Sequence, residues 1–238
     1  MPEPQQRDDA ERRATAEAAA VGERLRSFGP LSMLAGLQVM LGLALALGVL
    51  HLIDLSRTAG GIATGDWLFA DVVFMCIASV CYYYLLLGVV LPVPPSINQM
   101  MIPLTIGGAT MALARTFDQP AIFLPIYLLY LVASCVGFAY TGWHNTRNPL
   151  LGPAGPLRDA LGRECRKNML CLAAMAAGTL LVWGGYPAGE RSGWRDGVFI
   201  AINGAAFLWM MWQTESTFAR DVRASARESR AAPDHRPR

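Results

Sequence analysis

The sequence predicts an all-α integral membrane protein: a polytopic bundle of six transmembrane helices with the N- and C-termini cytoplasmic. Three observations carry that expectation. Residues 31–54 read LSMLAGLQVMLGLALALGVLHLID, uncharged until the final aspartate. At about 1.5 Å per residue, a helix of that length exceeds the roughly 30 Å hydrocarbon core of a bilayer. A helix on a soluble surface would show a polar face every third or fourth position, and this one does not. Second, hydrophobic residues make up 53% of the chain and charged residues only 16%, below the roughly 25% charge usual for soluble domains. Third, the charges are segregated into the two ends and one loop. The solvent for most of the chain is therefore lipid.

Residues 1–30 form a polar, alanine-rich segment holding Arg7, Arg12, Arg13, Arg24 and Arg26 among Glu3, Asp8, Asp9, Glu11, Glu17 and Glu23. The segment is too long and too acidic for the n-region of a signal peptide, and the run after it exceeds an h-region. Residues 31–54 are therefore expected to be an uncleaved first span, behind a partly helical cytoplasmic lead rich in alanine, glutamate and arginine. Five more apolar runs place spans near 67–91, 98–114, 121–142, 169–186 and 198–216, giving a transmembrane domain over 31–216. Tryptophans fall mostly near run ends, as an interfacial aromatic belt requires. The third run is the ambiguous one, because Pro103 and the Gly107–Gly108 pair would suit a re-entrant loop.

Basic residues decide between the two threadings. With six spans and the N-terminus inside, sixteen arginines and lysines lie on the inner side. Four lie outside: Arg57, Arg115, Arg191 and Arg195. If the third run does not cross, the division becomes eight and twelve. The positive-inside rule therefore selects six crossings. Arginine dominates the basic residues, with Lys167 the only lysine, which points towards GC-rich coding and a bacterial cytoplasmic membrane.

Small residues four apart (Ala44 and Gly48, Gly108 and Ala112, Ala173 and Ala177, Ala174 and Gly178) would let helix backbones approach closely in lipid. Two cytoplasmic segments suit contact with anionic headgroups. In the loop 143–168, Leu157, Leu161 and Cys165 share one face of a short interfacial helix, with Arg158, Arg163, Arg166 and Lys167 around it. In the basic tail 217–238, Arg220, Arg223, Arg227 and Arg230 recur every three or four residues. Asp221 and Glu228 dilute that stripe and no binding module accompanies it, so lipid is preferred to nucleic acid as its partner. The last residues, from Ala231, have the composition of a disordered end.

Threading sends His51, Asp54, Asp66, Asp71, Arg115, Asp118, Glu190 and Asp196 to the outer side. Asp71 lies about one turn below Trp67. A carboxylate at that depth is costly and normally faces a cavity, a partner or an ion path. His51, Asp54, Asp71 and Arg115 are accordingly the candidate lining of an outward-facing polar vestibule. A structural ion pair fixing helix register is the plainer account of the same residues. A metal site built on His51 would lack ligands. His51 and His144 lie at opposite membrane faces, so bis-histidine haem within one chain is disfavoured and the cofactor is left open. The five cysteines form no CxxC and read as apolar side chains. Walker, dinucleotide and GxSxG motifs are missing from the sequence. Tyr82, Tyr83 and Tyr84 point in three directions about a helix and read as packing rings. The functional expectation is a non-enzymatic transporter or channel-like element, as a homo-oligomer or beside other membrane subunits. The alternatives are an accessory or sensor subunit, and an enzyme acting on lipid or isoprenoid with an aspartate as acid or base.

Overall fold

A computed structural model of the chain describes residues 35–58, 61–90, 97–147, 156–184, 193–218 and 220–221. These residues form six helices and no strand: α1 Ala35–Thr58, α2 Thr64–Val90, α3 Ile97–Thr116, α4 Pro120–Arg147, α5 Pro156–Gly184 and α6 Gly193–Gln213. A single π-helical turn, Thr214–Phe218, continues α6. Four stretches are long and apolar enough to cross a membrane: Ala35–Thr58, Thr64–Tyr84, Pro120–Trp143 and Arg158–Gly184. The chain therefore has the make-up of a multi-pass membrane protein. The expected segments 1–30 and 222–238, with Arg223 and Arg227, lie outside the described residues.

One element differs from the sequence expectation, and the ambiguous third run is helical. The third run is one unbroken helix of 20 residues through Pro103, about 30 Å long. Proline is tolerated within a helix where neighbouring helices re-satisfy the freed backbone. The fifth element is a single helix of 29 residues, not an interfacial turn followed by a span beginning at 169. Pro156 suits the first helical position. One buried stripe then runs through Ala160, Leu161, Glu164, Cys165, Asn168, Leu172, Met175 and Thr179 without interruption.

Helices α2, α3, α4, α5 and α6 contact one another in cyclic order, α3 against α4, α4 against α5, α5 against α6, α6 against α2 and α2 against α3. Helix α1 packs on α3. A Cβ on Gly107 would meet Met40, and one on Gly48 would meet Ala114 at 3.7 Å. The α1 pair Ala44 and Gly48 is thus buried as the spacing suggests, whereas Ala173, Ala174 and Ala177 face outwards.

Aromatic side chains fill the middle of the ring. Phe69 meets Phe123 edge-on at 4.9 Å and stacks on Phe199 at 5.5 Å. Tyr127 packs between Phe123, Tyr130 and Phe199. Such offset and edge-to-face pairs add attraction beyond their buried area. The Tyr127 hydroxyl donates to Asn203 Oδ1 at 2.8 Å, and Asn203 Nδ2 donates to the Phe199 carbonyl at 2.7 Å. The Tyr127 hydroxyl and the Asn203 amide are thereby satisfied, as an apolar surround demands.

Candidate functional site

The bundle has a polar cluster at each end, separated by the aromatic column. At one end lie the C-terminal part of α2, the N-terminal part of α5, the end of α6 and the π-turn. Here Glu164 is only 5% exposed. Its Oε1 accepts from Asn168 Nδ2 at 3.1 Å, one turn along α5, and from the Thr214 hydroxyl. Tyr83 completes the group: its hydroxyl lies 2.9 Å from Thr214 Oγ1 and 3.3 Å from Asn168 Oδ1. Asn168 is 2% exposed and Thr214 is fully buried. The carboxylate is thus held by an amide of α5 and a hydroxyl of the π-turn, with Tyr83 of α2 bonded to both of those groups, and no ion pair to it occurs among the described residues.

Each position has a local cause. Glu164 and Asn168 are four apart, so they share one helix face. Tyr83 follows Phe69, Val72, Val73, Cys76 and Val80 on the buried side of α2, and Phe138 packs edge-on to its ring at 5.1 Å. Thr214 extends the buried stripe Asp196, Phe199, Asn203, Phe207, Met210 of α6. It also starts the π-turn, a departure from the α-helical ladder that is often found at functional sites. Just outside the cluster, Tyr82 donates to the exposed Glu215 at 3.0 Å. Helix α4 comes close alongside: a Cβ on Gly142 would sit 3.1 Å from Cys165 Cβ.

The other end contains the residues selected from sequence. His51 Nε2 lies 2.8 Å from Asp118 Oδ1, joining α1 to the α3–α4 turn. The imidazole stands edge-on to Phe117 at 4.8 Å. Asp54, Asp71 and Arg115 are all exposed. The structure thus brings His51 to Asp118 and does not bring Asp54, Asp71 or Arg115 to either of them. Asp196 is buried at the start of α6. Burial first, and then the nearby Asp66 carboxylate, push it above the usual carboxylate range.

Among the residues expected to meet headgroups, Arg163, Arg166 and Arg220 are exposed, and Arg158 and Lys167 are half-buried. Arg163 Nη2 lies 3.8 Å from Asp221 Oδ2 on the surface.

Sequence reasoning missed Glu164, Asn168 and Thr214, because 143–168 reads as a cytoplasmic loop with an interfacial helix when its five basic residues are weighed. The available signal was the apolar stripe of α5. It passes through positions 161, 165, 168, 172, 175 and 179 at helical spacing, and Glu164 lies on it.

No protein-family model matches the chain, and comparison with curated proteins and with solved structures gives no match.

Proposed function

We propose that this chain is a six-span membrane transporter element, both ends cytoplasmic, in which Glu164 binds a proton or small cation on the cytoplasmic side. The arginine distribution supports the threading, and α3 and α6, at 20 and 21 residues, have enough length to cross at about 1.5 Å per residue. The single observation that carries the functional reading is Glu164 itself. An ionisable side chain buried near the membrane boundary is costly and generally serves an ion or proton path. The Tyr83, Asn168 and Thr214 oxygens beside it are the hard donors that a proton or a small cation prefers. The outer vestibule becomes, on this reading, the His51–Asp118 pair with Asp66 and Asp196 near the opposite face. The aromatic column between the two ends separates the compartments.

The test is flux. Purified protein in liposomes carrying a trapped pH dye, driven by a potassium diffusion potential with valinomycin, should acidify or alkalinise the lumen faster than empty vesicles. Glu164→Gln keeps the shape and the hydrogen-bond acceptor but cannot ionise, and its flux should fall to the empty-vesicle rate. Wild-type flux from that variant contradicts the proposal.

A further inference from the structure

Asp71 poses a problem that the single chain does not solve. It lies within the apolar stretch Thr64–Tyr84, yet it is exposed and points away from the bundle, on the same strip of α2 as Trp67 and Ala78. Lipid cannot hydrate a carboxylate there, so such a group generally faces a partner. Arg115 poses the mirror problem. It is exposed at the end of α3, on a strip that also carries Gly108 and Ala112. Neither charge has an ion-pair partner among the described residues.

Their depths are compatible. Phe69 packs against Phe123, and a tight turn joins α3 to α4 through Gln119 N–Thr116 O and Phe123 N–Gln119 O bonds, each 2.9 Å. Phe123 therefore stands about level with Leu113, which puts Asp71 and Arg115 about 6 Å apart in depth at the usual rise per residue. Their directions close that gap. Side chains lean towards the N-terminus of their helix. Helices α2 and α3 run oppositely, so Arg115 leans deeper into the membrane and Asp71 leans towards the surface. The α3 strip is also shaped for close contact. A Cβ at Gly108 would meet nothing within 4 Å, so in one copy the small residues Gly108 and Ala112 leave open space where another backbone can approach.

We propose that the occupant is a second copy of this chain, its α3 strip on the α2 strip of the first, with Arg115 of one copy paired to Asp71 of the other. Rotation about an axis normal to the membrane preserves depth, so every such contact in a closed assembly repeats the same pair. The interface is independent of Glu164, and its failure leaves the flux reading untouched.

The test mixes charge-reversed copies. Association is read by energy transfer between donor- and acceptor-labelled full-length protein in dilute phosphatidylcholine vesicles. Wild-type copies should associate. Asp71→Arg alone and Arg115→Asp alone should each associate about tenfold more weakly, the scale of one interhelical polar contact in lipid. An equal mixture of the two variants should recover wild-type association, because each copy then supplies the charge the other lacks. Gly108→Leu, which has room within one copy, should weaken association with both charges intact. A monomeric wild type, singles that associate normally, or a mixture no better than its components overturns the proposal.

Discussion

The two ends of the bundle handle buried acid in different ways. At the Glu164 end, the carboxylate sits among the Tyr83, Asn168 and Thr214 side chains, drawn from α2, α5 and the π-turn. At the His51 end, Asp118 meets an imidazole at the half-exposed rim, while Asp196 is buried near a second carboxylate, Asp66. The first arrangement ties α2, α5 and the end of α6 together through one hydrogen-bonded cluster. The second distributes its charge over a pair at the rim and a buried neighbour. An acid bonded to neutral donors is buried without an ion pair to neutralise it, which is why the Glu164 end is the better candidate for function.

The largest stability effect should come from the inner cluster. Glu164→Leu strips the acceptor from Asn168 and Thr214 and should cost about 2–3 kcal/mol, from buried donors left unsatisfied. Thermal unfolding in detergent measures it. Glu164→Gln should recover most of that loss, which separates the structural part of the cluster from its ionisation. A smaller effect is expected in the column between the ends. Tyr127→Phe leaves Asn203 Oδ1 without its donor and should cost about 1 kcal/mol, with the helix content unchanged by circular dichroism.

The outer pair should matter less still. A double-mutant cycle on His51→Ala and Asp118→Ala should give a coupling of about 0.5–1 kcal/mol, as for partly exposed pairs, decreasing with salt. A coupling above that of the inner cluster would reverse the comparison.

Asp196 gives the subtlest signature. Its native affinity for a proton is raised, so the unfolded chain releases that proton at lower pH than the folded one does. The resulting penalty is absent below the unfolded value of about 4, and it grows as pH climbs towards the higher native value. Asp196→Asn should therefore flatten the decline in stability on the alkaline side of the carboxylate range and change little at more acidic pH. A pH scan of the melting temperature reads both.

Much of the fold is legible in the sequence because lipid imposes a simple rule: backbone groups must be satisfied within each helix. All six helices have counterparts among the apolar runs, and α1 and α4 need no further information. Helix α5 was harder, since Arg158, Arg163, Arg166 and Lys167 look like a loop when counted and like a helix when their spacing is followed. The candidate site was less legible. The chemistry-bearing residues that stand out in the sequence lie in the apolar runs and at the outer flanks, whereas Glu164 belongs to a basic stretch between them. Thr214 reaches it only because α6 continues into a π-turn, and Asp118 is brought to His51 by a turn 67 positions away. Those are tertiary facts, set by which helix faces meet. Asp71 is legible as an anomaly in the apolar run, and it is exposed on α2.

The most direct test of the account sets the two ends against each other in one assay. Proton flux should be measured in liposomes holding equal amounts of wild type, Glu164→Gln and Asp118→Asn, each checked for fold and insertion. The account predicts that Glu164→Gln falls to the empty-vesicle rate while Asp118→Asn keeps at least half the wild-type rate. Flux that survives in Glu164→Gln and disappears in Asp118→Asn would place the working acid at the opposite end and contradict it.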